Sequence, residues 1–180
     1  MAYRVLIIGK PVTLPERDEF EVDFQTVEGE YSVYDLVVKL DSGKLVLVLT
    51  EEEIEFREEK LQELILKGIE KLRKNELDKN LALEMLGGSE RLYFRSLKLY
   101  FEEYHDLKAK LEKYLAKQEY QAMRDLVHKV RGFTLYTGAK LLYKIAGILE
   151  TELLEGEVKN LNHFLRLHER LLAYCQVENV

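Results

Sequence analysis

Hydrophobic positions follow two different periods along the chain, and the change comes near residue 75. Before it, short apolar runs and alternations of period two predict strands. Residues 4–9 (RVLIIG) form an apolar run closed by glycine. Residues 21–25 alternate, with Val22 and Phe24 on one face and Glu21, Asp23 and Gln25 on the other. Residues 35–40 (DLVVKL) and 44–50 (KLVLVLT) are separated only by Asp41, Ser42 and Gly43. So short a connection closes a hairpin and cannot supply a parallel crossover, so these two strands are predicted to be antiparallel neighbours. Thr50 and Glu53 have capping-box spacing and predict a helix to about Arg73, with Leu61, Leu64, Ile65, Ile69 and Leu72 as its apolar stripe. The acidic run 51–59 reads as the solvated first turn of that helix, with a partner-binding patch as the alternative. Residues 75–80 (NELDKN) read as a linker between a module at 1–74 and a domain at 81–180.

From Leu81 onward the period is helical throughout. A short helix over 81–86 stops at Gly87 and Gly88, and Ser89 caps a long helix to about Lys117. Three more helices are predicted over 119–137, 139–155 and 158–175, with Gly138 and Gly156 as their breaks. Four substantial helices joined by such short turns predict an up-down antiparallel bundle. The expected fold class is therefore α+β: a small N-terminal sheet-plus-helix module followed by an up-down antiparallel four-helix bundle.

Composition changes this picture little but narrows the function. The chain is 47% hydrophobic and 33% charged, ordinary for a globular protein. Residues 1–75 carry 11 Lys and Arg against 17 Asp and Glu, and residues 76–180 carry 16 against 16. Neither part has the basic excess of a nucleic-acid binder. No apolar run is long enough to span a bilayer and no signal peptide precedes the first strand, so no membrane contact and a cytoplasmic location are expected. Cys175 is the single cysteine and, in an apolar helical stretch, is expected to be a small buried hydrophobe.

The helix over 119–137 carries the candidate chemistry. At about 100° per residue, with His128 at zero, Ala122, Met123, Leu126, Val130, Phe133, Thr134 and Thr137 fall within about 60° of the opposite side. Burying that stripe turns His128 to solvent, on a face shared with Gln121, Arg124, Asp125, Arg131, Gly132 and Leu135. A neutral imidazole is a usable nucleophile near neutral pH, and its phosphorylated form carries about two negative charges. Arg124 and Arg131, one turn away on either side, can pair with those charges. Gly132 leaves room for the backbone of a partner, and a glycine inside a helix costs about 1 kcal/mol against alanine, so its place there asks for a reason. Leu135 is expected as an exposed apolar side chain on the same face.

His128-Lys129-Val130-Arg131-Gly132, followed by Gly138-Ala139-Lys140-Leu141-Leu142 and then Ile148-Leu149-Glu150, resembles the signature of histidine phosphotransfer (HPt) domains. Leu86-Gly87-Gly88-Ser89-Glu90 resembles the opening helix and turn of that family, and the likeness covers about residues 77–176. Two positions depart from the pattern: Arg131 stands where lysine is usual, and Phe133 where a small residue is usual. The resemblance implies a phosphorelay intermediate without catalytic machinery or cofactor of its own. His128 is then the phosphoacceptor, Arg131 pairs with the phosphate charge and Gly132 opens the approach, while Arg124, Gln121, Asp125 and Leu135 form the docking face. The implied partners are receiver domains of response regulators or hybrid histidine kinases, which bring the magnesium ion and the phospho-aspartate.

At the N-terminus, residues 4–9, 34–40 and 45–50 resemble the first, third and fourth strands of a receiver. Gly9-Lys10 replaces the acidic pair expected after the first strand, and Leu40 stands where the phosphorylated aspartate would be. The segment reads as a small module for docking or for dimerisation of the chain with itself. His105, His163 and His168 read as ordinary residues, and no metal-ligand spacing is present. A docking module that binds a receiver or kinase without being phosphorylated is the competing functional reading, and a purely structural helical dimer is a further one.

Overall fold

Tyr3–Ile8 forms β1, flanked by β2 (Phe20–Gln25) and β3 (Leu36–Lys39), with β4 (Lys44–Leu47) and β5 (Glu52–Glu55) completing a sheet of order β2-β1-β3-β4-β5. The computed structural model describes residues 3–8, 14, 20–25, 34–40, 42–48, 52–55 and 61–177, in two units, Met1–Lys74 and Asn75–Val180. β1 runs parallel to both neighbours, with Val5 opposite Val22 and Leu36. Val5, Leu6 and Ile7 are all fully buried, which is why this strand is a continuous apolar run and not an alternation. β3 and β4 pair antiparallel, Lys39 opposite Lys44, through a turn in which Gly43 has φ +63°. The strand order is that of the doubly wound receiver type, whose strands are all parallel. Here β4 and β5 run back antiparallel, because the connection before β4 is too short to cross over.

The residues after β4 correct one expectation. Glu52–Glu55 is an edge strand and not the first turn of a helix, and Glu53 forms a 2.7 Å ion pair with Lys44 across β4. Pairing Ile54 with Leu45 gives backbone partners that an isolated helical turn would lack. Thr50 and Glu51 lie outside the described residues, as do 56–60. The helix, α1, starts at Leu61 and runs to Glu76, burying Leu64, Ile65, Ile69 and Leu72. A Cβ at Gly68 would lie 3.2 Å from the side chains of both Leu36 and Leu45, so this glycine sets how closely α1 approaches the sheet.

Residues 75–80, expected as a linker, are mostly helical. Asn75 and Glu76 end α1, α2 spans Lys79–Met85, and only Leu77 and Asp78 lie between. Asp78 caps α2 by accepting from the N–H of Leu81 at 3.0 Å. The expected single helix over 89–117 is two, α3 (Glu90–Tyr104) and α4 (Leu107–Ala116), broken at His105 and Asp106. There the His105 Nδ1 lies 3.1 Å from the carbonyl of Glu102, a side-chain bond to the last turn of α3, and Asp106 pairs with Lys110 at 2.7 Å to support the start of α4. Ser89 caps α3 through its Oγ, as expected. α5 (Tyr120–Thr137), α6 (Lys140–Leu154) and α7 (Leu161–Val177) complete an antiparallel bundle whose core includes Tyr93, Tyr100, Leu107, Val130, Leu149 and Phe164. Cys175 is buried in this core. Among the described residues no helix is long and apolar enough to cross a membrane.

His168 is buried on α7 with its Nδ1 2.7 Å from the Tyr100 hydroxyl. Its Nε2 is buried without a hydrogen-bond partner, and the Tyr104 backbone only partly offsets the burial. Burial pushes the imidazole down from 6.5 to about 4. An unfolded histidine takes up its proton near 6.5, so stability is complete above that pH and is lost as pH falls from 6.5 toward 4, by about 3 kcal/mol. Denaturant titrations at pH 7 and pH 4.5 check this by comparison with His168→Gln, in which that part of the acid sensitivity is expected to vanish. Parallel pH profiles for the two proteins would refute the assignment.

Candidate functional site

α5 is positioned by packing on four sides, against α2, α3, α4 and α6. Its buried residues are Met123, Val127, Val130, Thr134 and Thr137, so the inward face is turned about 40° toward Val127 relative to the expected stripe. Ala122, Leu126 and Phe133 are half-buried as a result. The turn does not cover His128, whose side chain is 73% exposed at the middle of the helix.

One flank of the imidazole is built by α6. Because only Gly138 and Ala139 separate the two helices, α6 runs antiparallel beside α5 and brings Glu150 to His128. Glu150 is nearly buried, and its Oε2 lies 3.3 Å from His128 Nδ1 and 3.3 Å from Arg131 Nη1. An ionised carboxylate only accepts, so Nδ1 carries the proton and donates it, which leaves the lone pair on Nε2. Among the described residues Nε2 has no partner. The other oxygen of Glu150, Oε1, is buried without a hydrogen-bond partner. Arg131 also donates from Nη2 to the Tyr143 hydroxyl at 3.2 Å and lies 4.6 Å over the Tyr143 ring. The Tyr143 hydroxyl and the nearby Glu150 carboxylate raise the pKa of its guanidinium further.

The remaining expected site residues fall as follows. A Cβ at Gly132 would meet nothing within 4 Å, so the surface beside His128 is open. Gln121 and Asp125 are exposed and bond each other at 2.8 Å. Arg124 is half-buried and, among the described residues, has no hydrogen-bond or ion-pair partner. Leu135 is half-buried, contrary to the expectation of an exposed apolar side chain; Tyr136, 42% exposed, is the open apolar residue of that turn. Phe133 packs its ring toward Tyr100 and Tyr104 on α3 and leaves His128 uncovered. His105 is exposed, His163 and His168 are buried, and no cluster fit for a metal occurs among the described residues.

Sequence reasoning gave no role to Glu150, Tyr143 or Gly147. The signal for Glu150 was a charge on the buried side of an apolar helix, but which residue it would meet depends on how α5 and α6 align. Gly147 is where a Cβ would come 3.3 Å from Arg131 Cζ, so its lack of a side chain makes room for the guanidinium.

Residues 95–176, from the middle of α3 to the end of α7, match the family model of the Hpt domain. Searches of the curated proteins and of the solved structures return no significant match. Most of α3 and the helices α4 to α7, the short α5–α6 turn and the exposed mid-helix histidine stand within the matched segment. The helical unit of this chain thus carries a segment that matches the Hpt domain, the histidine phosphotransfer domain of phosphorelays.

Proposed function

We propose that His128 accepts a phosphoryl group from the phospho-aspartate of a receiver domain and passes it to another receiver. The observation that carries this reading is the exposed imidazole with Nδ1 on Glu150 and Nε2 unpartnered. The lone pair of Nε2 forms the N–P bond while the P–O bond to the aspartyl carboxyl breaks, and the carboxylate leaves with that electron pair. Nδ1 keeps its proton, and the positive charge that the ring gains is balanced by the carboxylate of Glu150. Magnesium and the acidic pocket belong to the receiver on this reading. Gly132 leaves space for the receiver's backbone, and Gln121, Arg124, Asp125 and Leu135 form the surrounding docking face.

Incubation with a receiver carrying a radiolabelled aspartyl phosphate tests this. The expected label is stable in base, lost in acid and recovered in a peptide of α5. A receiver that binds the chain and never labels it would instead mark a docking module.

A further inference from the structure

Two arginines flank His128 on α5, four residues before it and three after, and the sequence makes them equivalent candidates for the phosphoryl charge. Their surroundings differ. Arg131 is already bonded at both terminal nitrogens, Nη1 to Glu150 and Nη2 to Tyr143, and its plane lies over the Tyr143 ring. It lies against α6 at Gly147, where a Cβ would come 3.3 Å from its Cζ and crowd the guanidinium. Turning it toward a phosphoryl group on Nε2 would break both bonds and leave the nearly buried carboxylate of Glu150 without its cation. Arg124 has no such ties. The antiparallel alignment that sets 128 beside 150 and 131 beside 147 places Leu154 opposite Arg124, where α6 offers no acid. The neighbouring Asp125 is bonded to Gln121. At about 40° around the helix from His128 and one turn before it, Arg124 shares the face of the imidazole.

We propose that the two arginines divide the work: Arg131 is a positioning residue that acts through Glu150 on the His128 imidazole, and Arg124 is the cation that meets the phosphoryl oxygens. This rests on His128 as the phosphoacceptor. Tyr143 and Gly147 belong to the positioning set, one anchoring the guanidinium and the other admitting it. The Glu150 carboxylate, held by Arg131, keeps the proton on Nδ1 and the nucleophilic lone pair on Nε2. As the planar anion of the transferring group comes onto Nε2, Arg124 supplies donors that no protein acid has claimed.

The full chain separates the two roles through two readouts, the nitrogen chemical shifts of the imidazole, which report its tautomer, and the rate of label transfer from a phosphorylated receiver. Arg131→Gln and Gly147→Ala are expected to shift His128 from a single tautomer toward a mixture, and Tyr143→Phe to shift it in the same direction by less. Arg124→Gln is expected to leave the tautomer unchanged and slow transfer roughly 10- to 100-fold, the worth of a hydrogen bond to a charged group. Lys129→Gln, on an exposed side chain about 100° away, is the control and is expected to transfer at the wild-type rate. An unchanged tautomer in Arg131→Gln overturns the positioning role. An Arg124→Gln protein as fast as Lys129→Gln overturns the phosphate role. A wild-type chain that takes no label from any receiver removes the underlying reading and Arg124's role with it, while the tautomer still decides for or against Arg131.

Discussion

Replacing His128 by glutamine is expected to reduce phosphoryl transfer to background, a loss of at least about 1,000-fold, while the folded protein keeps its stability. The two halves of that expectation have separate physical grounds. The amide of glutamine holds no nitrogen lone pair of imidazole basicity, and nothing else on this face of α5 replaces it: Gln121 and Asp125 are bonded to each other, and Arg131 is bonded to Glu150 and Tyr143. Stability is unaffected because the side chain is 73% exposed and buries no core surface. Exposed substitutions of this kind usually fall within about 0.5 kcal/mol. The ion pair of Glu150 with Arg131 survives the change, so no nearly buried charge is left alone. Matched denaturation curves, together with label transfer from a phosphorylated receiver, check both halves. A His128→Gln protein that still takes an acid-labile label would place the acceptor elsewhere, and one that unfolds early would show that the imidazole has a structural role.

Gly138→Ala is expected to have the largest effect on stability, about 3 kcal/mol or more. Gly138 ends α5 with φ +77°, in the left-handed region that costs a side chain about 1 kcal/mol. Strain is the smaller part. A Cβ there would lie 2.2 Å from the carbonyl oxygen of Asp78 and 2.7 Å from its carbonyl carbon. That backbone cannot step aside freely. The Asp78 N–H donates to the Gly138 carbonyl at 2.8 Å, and its side chain caps α2 and pairs with Lys140 at 2.8 Å. Moving it therefore loosens the start of α2 and the turn that aligns α6 with α5. Gly88→Ala supplies the comparison, because Gly88 has φ +79° and a Cβ there would meet nothing within 4 Å. It is expected to cost only the strain, about 1 kcal/mol. Equal unfolding midpoints for the two variants would show that the contact with Asp78 contributes nothing.

Much of the helical unit was legible in the chain itself, because helix periodicity and helix ends are local properties. Ser89 and Gly138 mark helix ends through bonds and backbone angles within a few residues of themselves. The exposure of His128 follows from the apolar stripe behind it, since a helix has to bury that stripe somewhere. The same local reading fails where two continuations have similar local cost. Residues 51–59 carry good helix formers, and Glu52–Glu55 became a strand because the free edge of β4 accepts it. The break at His105 and Asp106, where the His105 side chain bonds the Glu102 carbonyl, is likewise something that a periodicity count does not see.

The site divides in the same way. That a histidine, an arginine on either side and a glycine share one face of α5 is written in their spacing. Which arginine is occupied was decided by tertiary structure alone. Glu150, Tyr143 and Gly147 are 22, 12 and 16 residues from the α5 side chains they meet, and they meet them only because a two-residue turn sets α6 antiparallel in one register. A shift of α6 by one residue would rotate it about 100° and carry Glu150 away from His128. Spacing along one helix thus set the imidazole on the open face, and the packing of a second helix brought Glu150 to its Nδ1 and tied Arg131 to Glu150 and Tyr143, leaving Arg124 without a partner among the described residues.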